Sequence, residues 1–161
     1  MNEQEIQKVR NIALVHDLLS ESDEHTCVEF KHNNNSKEMI GKLISALSNA
    51  ARIEQQDFGY VLWGIEDDTK NIVGTSFSPE TKTVGNQVFV MWLTQMLQPR
   101  LAFKFRKVKH PNVNLVLLEI PAAISTPVEF DKTAYVRIGS ATPRLSEYPE
   151  HFQKLITNLR P

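Results

Sequence analysis

The chain contains one cysteine, Cys27, so it can form no internal disulfide and assemble no multi-cysteine zinc cage. No apolar run reaches the roughly 18 residues needed to span a bilayer. The longest candidates, 59–65 and 115–118, are of strand length. The opening residues Met1-Asn2-Glu3-Gln4-Glu5 lack the basic and apolar segments of a secretory signal. The expectation is a protein of the reducing cytoplasm with no membrane partner. Two nucleotide and acyl-transfer signatures are also missing. Gly41-Lys42 runs on into Leu43, so there is no G-x-x-x-x-G-K-[ST] phosphate loop, and no G-x-S-x-G nucleophile elbow occurs. His25, Cys27 and His32 lie close together in the sequence, but no fourth ligand accompanies them, and no zinc is expected.

What remains is an ordinary globular composition: 161 residues, 41% hydrophobic and 23% charged. That length buries one core and predicts a single domain over 1–161. Net charge is −1, yet its distribution is uneven. Residues 1–80 hold 14 carboxylates against 7 Lys or Arg, and residues 81–161 hold 5 against 11. No acid falls between Glu80 and Glu119, an interval that holds Lys82, Arg100, Lys104, Arg106, Lys107 and Lys109. Such a stretch is either a phosphate-facing surface or an edge strand guarded by lysines.

Periodicity places helices over 5–19, 37–50, 86–97 and 149–159. In the first, Ile6, Val9, Ala13 and Leu14 form the apolar stripe and Leu18 closes the last turn; in the second, Ile40, Leu43, Ile44 and Leu47 recur at helical spacing. The turn His32-Asn33-Asn34-Asn35-Ser36 supplies N-cap chemistry for the second helix. Strands are predicted at 26–31, 59–65, 72–74, 102–109, 115–120 and 134–138. The run 59–65 lacks polar alternation and reads as central, while His110-Pro111-Asn112 reads as a hairpin turn. Trp63 and Trp92 have apolar neighbours and read as core. The fold class is α/β, a mixed α+β single domain whose mixed sheet contains a βαβ unit and carries flanking helices.

The strand 26–31, helix 37–50 and strand 59–65 have the length of a βαβ unit, whose two strands run parallel. Ligands gather beyond the carboxyl ends of such strands, where Glu29 and Lys31 stand on one and Glu66, Asp67 and Asp68 follow the other. Two carboxylates 4 Å apart repel by about 4 kcal/mol at an effective dielectric of 20. A cluster of them therefore needs a proton, a cation or a metal such as Mg²⁺ or Mn²⁺; otherwise these are solvated surface acids.

The blocks Glu24-His25-Thr26-Cys27-Val28-Glu29-Phe30-Lys31, Ile44-Ser45-Ala46-Leu47-Ser48-Asn49, Gly59-Tyr60-Val61-Leu62-Trp63-Gly64-Ile65-Glu66-Asp67 and Ile72-Val73-Gly74 occur in that order. Together with Ala134-Tyr135-Val136-Arg137-Ile138-Gly139-Ser140, Arg144 and Glu147, they resemble the Schlafen AlbA-like domain family. Bacterial members of that family are described as nucleic-acid-binding modules, and some carry ATP-binding labels. In the vertebrate ribonuclease relatives, two acids five residues apart and a third after the glycine strand form a metal-dependent site. The resemblance maps these onto Glu24, Glu29 and Asp67, and it implies Mg²⁺ or Mn²⁺. Lys31 matches the motif lysine and is assigned to the scissile phosphate. The chain departs from the pattern in placing nine residues, Ala50 to Phe58, between Asn49 and a single Gly59. It also lacks the relatives' second lobe and zinc site, and a homodimer would supply a second cleft wall.

The resemblance and the charge pattern imply a nucleic-acid-binding domain, for RNA ahead of DNA, using Lys104, Arg106, Lys107, Lys109, Arg137 and Arg144 for phosphates. Metal-dependent endoribonuclease action by Glu24, Glu29, Asp67 and Lys31 is its enzymatic form. A regulatory or interaction module and an ATP-binding domain are the alternatives.

Overall fold

A computed structural model describes residues 1–20 and 27–160. Helix α1 spans Glu3–Ser20 and β1 spans Val28–Lys31. Ser36 caps α2 (Lys37–Ile53) through its hydroxyl, which accepts the Met39 N–H at 3.4 Å. β2 (Phe58–Trp63) follows, then the two-residue strands β3 (Thr83–Val84) and β4 (Gln87–Val88), α3 (Phe89–Met96) and β5 (Leu97–Gln98). β6 (Lys104–His110) and β7 (Val113–Pro121) form the expected hairpin, with His110 opposite Val113. β8 (Glu129–Phe130), β9 (Thr133–Ala134) and α4 (Pro149–Asn158) complete the chain. No helix among the described residues is long and apolar enough to cross a membrane.

The main sheet has the order β1-β2-β7-β6. β1 and β2 are parallel across the α2 crossover, and the other two pairings are antiparallel. This is the mixed sheet and βαβ unit expected of an α+β domain, and β2 is interior as its unbroken apolar run requires. Side chains alternate across the sheet. Val61, Trp63, Val116, Leu118 and Ile120 pack with α2, α3 and α4, while Val28, Phe30, Leu62, Leu115, Leu117 and Val108 pack with Val15 and Leu18 of α1. Trp63 is wholly buried against Phe77, their ring centroids 4.8 Å apart, and Trp92 is half-buried.

Three expectations change. The strand expected at 72–74 is reduced to the isolated bridge of Ile72 with Ile65. The apolar face of α1 is not the whole 6–9–13–14 stripe: Ile6 and Val9 are exposed, Leu14 packs only partly, and Val15 is buried beside the expected Leu18. Only the last turns of α1 cross the sheet, so the earlier apolar side chains find no surface to cover them. The strand predicted at 134–138 is cut short after Ala134. Polar side chains of α2 take over the backbone hydrogen bonds of Tyr135, while Val136 and Ile138 pair with Pro143 and Ala141 in a short return of the chain. The Ser45 hydroxyl donates to the Val128 carbonyl (2.6 Å) and accepts the Tyr135 N–H (3.0 Å). The Asn49 amide donates to the carbonyls of Val128 (3.0 Å) and Tyr135 (2.8 Å) and accepts the Val128 N–H (2.8 Å).

The contact between α2 and β8 is tight at Gly41, where an added Cβ would collide with the Phe130 ring. In a free helix, Gly→Ala gains about 1 kcal/mol. Here the collision overpacks the core at a cost of about 1–3 kcal/mol. Gly41→Ala is therefore expected to lower the thermal midpoint, and a raised midpoint would show that the ring moves aside freely.

Candidate functional site

Glu29 lies on β1 opposite Val61, with its carboxylate on the α2 side of the sheet. One oxygen faces Lys31 Nζ at 3.3 Å and the other accepts from Arg137 Nη2. Arg137 arrives from the segment after β9, and its side chain is only 1% exposed. Its Nη1 donates to the Ser140 carbonyl (3.1 Å) and to the Thr142 hydroxyl (2.9 Å). Its Nε is buried with no partner among the described residues. An orphaned N–H of this kind costs about 1–3 kcal/mol. Arg137 thus stands inside the protein as the counter-ion of Glu29, not on the surface that the sequence reading assigned to it. Glu29, Lys31 and Arg137 line a cleft of about 400 Å³ with Ser36, Glu38 and Lys42 at the start of α2.

Asp67 does not join them. The chain leaves β2 at Gly64, whose φ of 105° lies in the region that favours glycine and whose added Cβ would crowd Gly74 at 3.2 Å. It then doubles back through an Ile65–Ile72 bridge on the α1 side. Asp67 sits exposed in the intervening turn, 3.5 Å from Lys70 Nζ. That ammonium lies over the Phe30 ring, and Phe30 points to the face of β1 opposite Glu29. Glu66 is engaged separately by the Thr69 hydroxyl at 2.8 Å.

Glu24 lies outside the described residues. Among those described, no group of three His, Cys, Asp or Glu side chains could hold a metal. Glu29 already carries two cations, and a third positive charge beside it meets their repulsion. The described residues therefore do not fit a Mg²⁺ or Mn²⁺ ion.

The acid-free stretch becomes β6, an edge strand paired only with β7. Val108 packs on the α1 side and Phe105 on the other, so alternation sends Lys104 and Arg106 to the first face and Lys107 and Lys109 to the second. Arg106 is held by Glu119 at 3.2 Å, and Lys107 faces Glu80 at 3.3 Å with both side chains more than half exposed. Hydrogen bonds from its own backbone amide and from Ser78 hold the Glu80 carboxyl below the usual range, and Lys107 adds to this. Lys104 and Lys109 form no ion pair among the described residues. Beside β6, Phe103, Phe105, Val90 and Val116 floor a cleft of about 360 Å³ rimmed by Lys104, Arg106 and Lys107. Arg144 is exposed, faces Tyr135 in an isolated bridge and lines a separate cleft with Glu129, Lys132 and Phe152.

The family model described as Schlafen, AlbA_2 matches residues 24–146. The chain belongs to the Schlafen AlbA_2 family. Its fold is similar to that of the DIP2311 protein from Corynebacterium diphtheriae, with a TM-score of 0.52 and 16% identity over 95% of this chain. The chain spans 29% of the length of that protein. It is also similar to the N-terminal domain of a protein described as related to the ATP-dependent DNA helicase RecG, from Nitrosomonas europaea. There the TM-score is 0.51 at 19% identity, covering 82% of this chain and 85% of that one. No curated protein matches the chain.

Within this Schlafen AlbA_2 domain, the residues the sequence reading missed are Ser36 and Lys42 at the cleft and Ser45 and Asn49 beneath it. Ser45, Ser48 and Asn49 share one helical face at i, i+3 and i+4 inside an otherwise apolar stretch. That signal was available.

Removing one member of a buried ion pair costs about 3–5 kcal/mol, whereas replacing both with apolar groups is often neutral. Arg137→Met is expected to lose stability on that scale in urea unfolding, and Glu29→Leu with Arg137→Met to recover part of it; no recovery would mean the pair is not coupled. Burial, and then the neighbouring Glu119 and Asp57 charges, push the Tyr60 phenol up to about 12 against the opposing pull of Arg106. The unfolded phenol ionises near 10. Folding stability should therefore fall as pH rises from about 10 to 12, and ultraviolet titration should show a phenol, absent in Tyr60→Phe, ionising near 12; a Tyr60 midpoint near 10 would contradict this burial.

Proposed function

We propose that this domain binds nucleic acid as an unpaired strand, laying phosphates along β6 and a base against the Phe103 and Phe105 floor. The observation that carries this reading is the cationic edge strand beside an apolar, aromatic cleft. Base stacking on an aromatic floor and phosphate contact with a lysine-lined groove are the two general components of single-strand binding. Lys107 and Lys109 stand two residues apart on one face, about 7 Å along the strand. Lys104 flanks the cleft from the other face. The Glu80 partner of Lys107 is exposed, so a phosphate displaces it at little cost. Membership of the Schlafen AlbA_2 family supports the reading, as does the fold shared with a domain of a RecG-related protein.

The reading requires no hydrolysis, because the described acids do not gather. Incubation with structured RNA and manganese is expected to give no cleavage that depends on Glu29. Cleavage abolished by both Glu29→Ala and Asp67→Ala would add a catalytic step.

Each phosphate contact on a single strand contributes about 0.7 to the slope of log affinity against log salt. Fluorescence anisotropy with a labelled oligonucleotide should show that slope falling by about 2 in the Lys104→Ala, Lys107→Ala, Lys109→Ala variant. Arg106→Ala, which removes a side chain already held by Glu119, should change it little. Unchanged affinity in the triple variant would rule out β6 as the interface. Parallel RNA and DNA probes in the same assay decide which strand is preferred.

A further inference from the structure

The first half of α1 stands clear of the sheet: every residue from Glu3 to Arg10 is exposed. It is nonetheless a capped helix, the Asn2 side chain accepting the Glu5 N–H at 2.8 Å and the Asn2 carbonyl the Ile6 N–H at 3.1 Å. Helices in proteins draw most of their stability from packing of an apolar face, and the body of this protein offers that half none. At about 3.6 residues per turn, Val15 and Leu18, which pack on the sheet, define one side of the helix. Ile6, Val9 and Ala13 form a stripe on the opposite side, within about 60° of one another. All three are exposed, Ile6 by 37% and Val9 by 57%. Glu3 and Arg10 flank this stripe along one border, roughly 10 Å apart along the axis and so too distant to pair within one helix. Neither forms an ion pair among the described residues.

We propose that this stripe pairs with the same stripe of a second copy of the chain, the two α1 helices running antiparallel about a twofold axis. The order of charge along the border selects both the partner and the direction. With Ile6 of one copy against Val9 of the other, Glu3 of each lies about 3 Å along the axis from Arg10 of the other, on the same border. The twofold axis makes that pair twice. A parallel pair would instead set acid level with acid and base level with base. Antiparallel helices also oppose their dipoles. Three side chains a copy make far less than a standard interface of about 1,600 Å², so the pair forms only at high chain concentration. The stripe faces away from the sheet, and pairing there stands apart from nucleic-acid binding on β6.

Sedimentation equilibrium of the full chain at low salt, taken up to millimolar concentration, should show a monomer and dimer in exchange. Val9→Asp, an exposed substitution, should keep the circular dichroism of the parent and remain monomeric throughout. Glu3→Arg and Arg10→Glu should each raise the dissociation constant of the dimer about tenfold, since two exposed pairs turn from attraction to repulsion. Combined in one chain, the two reversals exchange the signs and should restore association. A monomer at every concentration would overturn the proposal, as would a dimer untouched by Val9→Asp. Tighter association in either single reversal would indicate a parallel pair and overturn it too. Failure of the double reversal to recover what the single ones lose would show that these charges do not meet, with the same consequence. None of these results bears on oligonucleotide binding, which the β6 triple variant tests separately.

Discussion

Two buried polar side chains on α2, Ser45 and Asn49, hold the carboxyl-terminal third of the protein against its sheet. Their hydrogen bonds to the backbone of Val128 and Tyr135 stand where a strand ladder would otherwise run. Groups buried this fully are tolerated because nearly every donor and acceptor among them is matched. Ser48 adds a third tie, donating to the Pro121 carbonyl at 2.7 Å at the end of β7. Without these ties the segment carrying Arg137 would have no fixed distance from β1, and Glu29 would be a buried acid lacking its main counter-ion.

That arrangement determines what Glu29 can do. A carboxylate clamped by a guanidinium and an ammonium is an internal electrostatic joint between the first and last parts of the chain. The surrounding cleft is lined by Lys42, whose ammonium lies over the Tyr135 ring, and by the capped head of α2. At the other edge of the sheet the same principle acts in reverse. β6 carries its lysines outward without a second strand to pair with, which discourages edge-to-edge association and leaves cations facing solvent.

Much of this architecture was legible in the residue pattern. The unbroken run at β2, the Ser36 cap and the spacing of Ile40, Leu43, Ile44 and Leu47 specify the βαβ unit through local periodicity and capping, which act over a few residues. The hairpin at Pro111-Asn112 follows from turn chemistry in the same way. The Arg137 partnership was not legible, because 108 residues separate it from Glu29 and no local rule connects them. Nor was the separation of Glu29 from Asp67. Proximity to strand ends suggested convergence, but one glycine at positive φ, Gly64, sends the following turn to the other face. The strand expected at 134–138 is shortened for a related reason: distant α2 side chains take the Tyr135 backbone groups, and the residues after it pair only in isolated bridges with 141–144.

The order of residues by itself determined the main helices and sheet strands, the parallel crossover, the uneven charge and the family, since periodicity, capping and motif order are all written along the chain. Tertiary structure alone decided which charges meet. Alternation along β6 divided its four cations between two faces, and packing through Asn49 and Ser45 drew Arg137 inside to Glu29. Coulomb attraction and desolvation depend on distances in space, and those distances are set only once the helices and the sheet have closed on one another.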